Sequence, residues 1–207
     1  MALPPAPDGK LADLDPATRQ LVRVAAVLAA GSETQVRDEL LSAQDTTPTE
    51  WIEELILQTY LFAGFPRALN GMREWRRIIR NVPAPAEARA DTRSVGERTC
   101  RSVYGDMYDK LRVNIRELHP LLDEWMITEG YGKVLSRPEL DLQRRELCIV
   151  AACAASGQDR QLQSHLHGAR NVGVADSVVG DALASLADII PAQAHQRALH
   201  FWERVRA

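Results

Sequence analysis

The chain has 207 residues, 45% of them hydrophobic, with 28 acidic against 25 basic side chains. That much apolar material buries a core in one domain or two small ones, which excludes a disordered chain. The near-neutral balance holds no dense patch of Lys and Arg, so no nucleic-acid partner is expected.

Met1 to Lys10 is Pro-rich and polar and has no apolar leader core; no apolar run anywhere reaches the roughly 18 residues that a bilayer span needs. A cytoplasmic protein without membrane contact is the expectation. Leu21, Val24, Ala25 and Leu28 recur at the spacing of one helix face, and alternating strand-like patterns are almost absent, so the fold class is all-α. Thr47-Pro48-Thr49-Glu50 reads as a capping box opening a helix through Trp51, Leu55 and Tyr60 that Gly64 stops. Phe65-Pro66 starts another, with Leu69, Met72, Trp75 and Ile79 on an apolar stripe, ending near Val82. Pro83 to Asp91 looks like an exposed linker. Helices are predicted over Val95 to Tyr104, Met107 to Leu118 and, after a break at His119-Pro120, Leu121 to Thr128, before a turn at Gly130-Tyr131-Gly132. A further helix runs from Leu142 to Ala155 and ends at Ser156-Gly157. Asp159 caps the next, which stops at Asn171 to Gly173; Asp176 caps one to about Ile190, and Pro191 opens the last.

The strongest internal signal is a repeat. Leu14 to Leu21 aligns without gaps on Leu140 to Leu147, and the register carries Val24, Ala25, Ala29 and Gly31 onto Val150, Ala151, Ala155 and Gly157, then Gln35, Leu40 and Ala43 onto Gln161, Leu166 and Ala169. The expected organisation is a first repeat over 1–82, a linker with connecting helices over 83–134, and a second repeat over 135–207.

The stretch from Tyr131 through Ser136-Arg137-Pro138-Glu139-Leu140-Asp141 to Arg145-Glu146-Leu147 resembles the lead-in to the core helix of the carboxymuconolactone decarboxylase family. Gln161 to Gly173, with His165 and His167, is similar to that family's His-bearing helix. In the first copy, Ile52 to Asn70 resembles the helix pair that follows it. The resemblance implies an alkylhydroperoxidase D-like helical bundle of two related repeats. It also implies association through helical faces, here as a homo-oligomer with a trimer favoured. The alkylhydroperoxidase D branch spaces its site as Glu, eleven residues, Cys-X-X-Cys, three residues, His. Counting from Glu146 lands on Gln158, Gln161 and His165, so the Glu and His are kept and both cysteines are glutamine. Without an attacking and a resolving thiol, dithiol peroxidase chemistry does not transfer. The first copy has Gln20, Ser32, Gln35 and Glu39 there, and is expected to be structural or one wall of the other site.

On the Leu142 to Ala155 helix, Glu146, Ile149, Val150 and Cys153 share a face, so an apolar stripe carries one carboxylate. The Ser156-Gly157 connection folds the next helix back against it, which brings His165 toward Glu146, and a His oriented by a carboxylate is a general acid/base unit. A buried pair that merely satisfies two polar groups has the same spacing.

As the resemblance implies, the expected function is lyase-type acid/base chemistry on a small carboxylated lactone or related acid. His165 and Glu146 would be catalytic, and Gln158, Gln161 and Cys153 would line the substrate site. A single-thiol antioxidant protein using Cys153 and a non-catalytic oligomeric scaffold are the alternatives. Three cysteines, Cys100, Cys148 and Cys153, fit a reducing compartment better than a disulfide framework. His165 and His167 point to different sides of their helix, and no metal or cofactor is expected. His119, His195 and His200 read as surface or packing residues, and Arg73 to Arg80 and Gln143 to Arg145 as solvated helix faces, although Arg144 or Arg145 could meet an anionic substrate. Trp51, Trp75 and Trp202 are compatible with an interface or with an ordinary core.

Overall fold

A computed structural model describes residues 9–80 and 91–207, and among these every regular element is helical apart from an isolated bridge between Leu11 and Val174. The all-α expectation holds. The predicted linker lies almost wholly outside the described residues.

Helices α1 (Pro16–Ala30) and α7 (Leu142–Ser156) form the most extensive helix pair and carry much of the core, including Leu21, Val24, Leu28, Leu147 and Val150. Each opens the same way. The Asp15 carboxylate accepts from the Thr18 backbone N–H, and Asp141 accepts from that of Arg144, satisfying amides that a helix start leaves without partners. The two caps are joined, because the Arg144 guanidinium donates to Thr18 Oγ1 at 2.8 Å and to Asp15 Oδ2 at 3.0 Å and stacks over the Trp51 ring. Helices α2 (Glu33–Ala43) and α8 (Asp159–Asn171) follow at the same offset, since 16 to 142 and 33 to 159 are both 126 residues.

Helix α3 (Thr49–Ile78) bends at Gly64, whose φ of 83° interrupts the helix where the sequence predicts a stop. Its start differs from the predicted capping box. Pro48 is the N-cap, which has no side-chain acceptor, and the Thr47 hydroxyl donates instead to the Ala17 carbonyl across the helix interface. The end also differs, at Ile78 and short of Val82. On the predicted stripe Trp75 is buried but Leu69 is exposed.

Helix α4 (Thr92–Tyr104) is followed by a short 3-10 turn at Gly105–Met107, then α5 (Tyr108–Leu118) and α6 (Pro120–Trp125), with the predicted break at His119. The expected Gly130-Tyr131-Gly132 turn is instead part of a π-helical segment, Met126–Val134. Close backbone contact with α4 explains it. A Cβ on Gly96 would lie 2.1 Å from the Ile127 carbonyl oxygen and one on Gly132 1.9 Å from that of Thr92, so these glycines let the two backbones touch.

Asp159 is the first residue of α8, after Gln158 as N-cap, and its carboxylate takes the Arg197 guanidinium instead of capping. Helix α9 (Asp176–Ala184) likewise starts after Ala175, with the Asp176 carboxylate paired to Arg170. It ends before the predicted Ile190 because Arg23 donates to the Ser185 carbonyl at 2.7 Å and holds the following turns. Pro191 opens the final helix α10 (Ala192–Arg206) as predicted.

Two surface assignments from the sequence are corrected. Gln143 and Arg145 are buried, not solvated, because α7 is enclosed by α1, α3 and α8. The Arg145 guanidinium is fully covered and donates to Glu54 at 2.7 Å, Gln58 at 3.2 Å and the Leu140 and Arg137 carbonyls. Burial lowers its pKa while Glu54 opposes that shift, and Glu54 also accepts from Arg137. Among the tryptophans, Trp75 and Trp202 are core residues and the exposed one is Trp125.

Candidate active site

Glu146 lies on the second turn of α7 and His165 in the middle of α8, and the two helices pack against each other beyond the Gly157 turn, whose φ is 71°. His165 Nδ1 is 2.8 Å from Glu146 Oε2, with Glu146 0% and His165 4% exposed. A carboxylate can only accept, so against ionised Glu146 the Nδ1 atom donates and Nε2 is left for chemistry. The approach depends on Gly168. A Cβ there would stand 2.5 Å from Glu146 Oε2 and 2.7 Å from the Val103 side chain, so a glycine in mid-helix, which costs about 1 kcal/mol relative to alanine, opens the space for the carboxylate. The other carboxylate oxygen, Oε1, is buried without a hydrogen-bond partner among the described residues. Buried polar atoms in folded proteins almost always have partners, so this one, like Trp75 Nε1, has room for a bond to a water or a ligand.

Aromatic rings complete the surroundings. Phe62, from α3, meets the His165 ring edge-on at 5.7 Å between centroids, and Tyr104, at the end of α4, does so at 6.2 Å. Tyr131, on the π-helical segment, meets the Tyr104 ring edge-on with 6.2 Å between the centroids. Burial pushes both phenols above their ordinary values. Asn171 holds the end of α4 onto α8 by donating to the Val103 carbonyl at 2.8 Å.

The structure therefore brings together the two residues singled out as catalytic. Cys153 is buried on the same helix as Glu146, and its thiol is pushed up to about 12, first by burial and then by the Glu146 charge. Burial likewise pushes Cys100 up to about 12, with Glu146 adding to the shift, and Cys148 is also free and buried. Gln158 and Gln161 are exposed and make no hydrogen bond to the pair. Two surface cavities open elsewhere. One of 540 Å³ is lined by Lys10, His167, Arg170 and Asp176 among others, and one of 230 Å³ by Val36, Arg67 and Arg77 among others; neither is lined by Glu146 or His165. Among the described residues no three side chains of His, Cys, Asp or Glu gather as a metal site would require. Sequence reasoning missed Phe62, Tyr104, Tyr131 and Gly168. A glycine three residues after His165 inside a helix was a readable signal, whereas the tyrosines arrive through tertiary packing alone.

At the corresponding positions of the first half, Gln20 donates to Glu39 Oε2 at 2.7 Å. Arg23 donates to both Glu39 oxygens, to the Ser185 carbonyl and to Asp188.

Among the described residues the bundle is all-α, as the alkylhydroperoxidase D-like fold is. Residues 121–204 match the model of the carboxymuconolactone decarboxylase family, so this stretch of the chain is similar to that family. The match takes in α6 and the π-helical segment, which the sequence reading assigned to the connecting part. Two relatives carry the name Peroxisomal protein 2. The one from Schizosaccharomyces pombe is 29% identical over 140 residues, which cover 63% of this chain and 64% of the relative. The one from Saccharomyces cerevisiae is 24% identical over 197 residues, covering 77% of this chain and 69% of the relative. The chain thus spans about two thirds of the length of these relatives. No helix among the described residues is long and apolar enough to cross a membrane.

Proposed function

We propose that the chain is an acid/base enzyme of the lyase type, acting on a small carboxylated lactone or a related acid, with His165 moving the proton and Glu146 holding the imidazole. The observation that carries this reading is a buried Glu146–His165 contact in which Glu146 Oε1 has no partner among the described residues. A pair serving the fold alone gains stability by satisfying both oxygens, while an unsatisfied buried acceptor costs about 1–3 kcal/mol. In the proposed reaction the substrate carboxylate leaves as carbon dioxide, the C–C bonding pair moves onto the conjugated carbonyl, imidazolium Nε2 gives one proton to the carbon, and the imidazole takes one proton from water to complete the cycle. Incubation with carboxymuconolactone while following carbon dioxide release tests it. His165→Ala should lower turnover by about 10²- to 10⁴-fold, and activity unchanged in that variant dismisses the assignment.

One observation favours a non-catalytic scaffold instead, namely that the pair is closed over and neither cavity reaches it. That reading predicts no release of carbon dioxide by the wild type. Single-thiol peroxidase chemistry has less support, since a thiol pushed up to about 12 holds almost no thiolate at neutral pH.

Three further proposals accompany this reading. The two halves are copies of one unit, supported by α1 and α7, of 15 residues each, and by α2 and α8, which start at the same offset. The chain forms a homo-oligomer, with a trimer favoured by the family resemblance. Leu118, Leu121, Leu122 and Trp125, all at least 49% exposed along α5 and α6, offer an apolar face for it; sedimentation of wild type against Trp125→Glu checks this. Finally, the relatives' shared name points to a peroxisomal rather than a general cytoplasmic location, which imaging of a fluorescent fusion decides.

A further inference from the structure

We propose that the 540 Å³ cavity at the junction of α8 and α9 is a binding site for a small organic anion, held through its carboxylate or phosphate oxygens by Lys10, His167 and Arg170. This site is separate from the Glu146–His165 pair, so its test and the test of the acid/base reading succeed or fail independently.

Position separates the two. His167 follows His165 by two residues, about 200° around the helix, so it faces out of the bundle while His165 faces Glu146. The cavity takes His167 and Arg170 from that outer face of α8 and has neither member of the buried pair in its wall. Its volume lies within the range of about 300–1,000 Å³ that small-molecule sites occupy.

Charge selects the ligand. The chain as a whole carries a formal net charge of −3 at pH 7, yet in this wall Lys10 and Arg170 outweigh the one carboxylate, that of Asp176. A locally positive hollow on an acidic protein concentrates anions. Asp176 is already engaged, because its Oδ1 accepts from Arg170 Nε at 3.1 Å. Arg170 also donates through Nη1 to the Val205 carbonyl on α10 at 2.8 Å, so two bonds orient the guanidinium, and Nη2 has no partner among the described residues. Among the same residues neither Lys10 nor His167 makes a hydrogen bond or an ion pair. An ammonium carries three donors and an imidazole at least one when an N–H faces the ligand, which the oxygens of an anion can answer together.

Construction fixes the rim. Leu11 donates its N–H to the Gly173 carbonyl at 3.0 Å, and its own carbonyl accepts from the Ala175 N–H at 3.0 Å. Buried Gln143 donates from α7 to the Gly9 carbonyl at 3.0 Å and to that of Val172 at 3.1 Å. The backbone on both sides of Lys10 is thus pinned to the connection that supplies buried Val174 to the cavity. A backbone held in place before the ligand arrives lowers the ordering cost of binding.

Isothermal titration of the full chain with succinate and with glycerol 3-phosphate at low ionic strength tests the assignment, with glycerol as the uncharged control. At least one anion should bind saturably and glycerol should not, and the tighter of the two anions assigns the site to carboxylates or to phosphates. Lys10→Ala and Arg170→Ala should each weaken binding about 10-fold, the weight of one charge-assisted hydrogen bond. Asp176→Asn should tighten it about 3-fold by removing a like charge. Arg170 also ties α8 to α10, so the deciding variant is Lys10→Ala, at an exposed side chain. Lys110→Ala, at an exposed lysine outside the cavity, should leave affinity unchanged. The proposal is overturned if the wild type binds neither anion saturably, if glycerol binds as well as they do, if Lys10→Ala keeps full affinity, or if Lys110→Ala loses as much.

Discussion

The two halves place a polar pair at the same point of the same helical frame, and they resolve it in opposite ways. In the first half Gln20 and Glu39 are joined by Arg23, which also reaches Asp188 and the Ser185 carbonyl, so the acidic group is answered and the half is tied to the turns after α9. In the second half Glu146 and His165 stand in the same positions, and among the described residues no guanidinium enters and one carboxylate oxygen is left without a partner. On the proposed acid/base reading, one scaffold separates structure from chemistry. A fully connected polar network rigidifies, whereas a partly connected one keeps capacity for a substrate at a cost in stability.

The largest expected effect marks the fully satisfied extreme. Glu54→Leu removes the carboxylate that answers buried Arg145 and should destabilise by about 3–5 kcal/mol in denaturant unfolding, because the guanidinium stays buried and uncompensated. The next effect separates the two halves by sign. Glu39→Leu takes away both Arg23 contacts on α2 and should cost about 1–3 kcal/mol. Glu146→Leu combined with His165→Leu removes both members of the unsatisfied pair, and should leave stability unchanged or raise it by about 1–4 kcal/mol while abolishing turnover. Equal destabilisation in both halves would show that the second pair is held for the fold.

How much of this was readable in the sequence follows the range of the interactions. Asp15 and Asp141 cap their helices from three residues away, and the predicted bounds of α7 fall within a residue of those observed. The Glu146–His165 contact spans 19 residues, yet one short turn between two periodic helices was enough to foresee it. Distant partners were not foreseeable. Arg145 is a surface residue by type and a core residue by position, since Glu54 and Gln58 reach it from 91 and 87 residues away. Gly130-Tyr131-Gly132 has the composition of a turn, and only contact with α4 makes it helical. Asp159 and Asp176 look like caps because a short acidic side chain usually is one, but each has an arginine to answer instead.

A smaller effect tests whether the second half was cleared for its carboxylate. Gly168→Ala places a methyl group against Glu146 and Val103 and should cost about 1–2 kcal/mol despite the better helix propensity of alanine, with turnover falling as the His165 contact is displaced. Ser42, at the matching position of α2, is exposed, so Ser42→Ala should stay within about 0.5 kcal/mol. Comparable losses at both positions would mean that Gly168 serves the general packing of α8.

The smallest effect concerns the pH dependence of the first-half network. The hydrogen bond from Arg23 holds the Asp188 carboxyl below its ordinary value of 3.8 against the opposing effect of burial. A carboxylate with a depressed folded-state pKa contributes stability that is fully present above its unfolded value and is lost as pH falls through the folded one. Wild type should therefore exceed Asp188→Asn in stability at neutral pH, and the two unfolding curves should converge as pH falls below about 4. The gap should be small, because the Asp188 side chain is 69% exposed and water screens the pair, and it should shrink further in salt. A gap that stays constant from pH 7 to pH 2 would assign the contribution of Asp188 to the geometry of its turn, and the first half would then owe its connection to Arg23 through Ser185 and Glu39 alone.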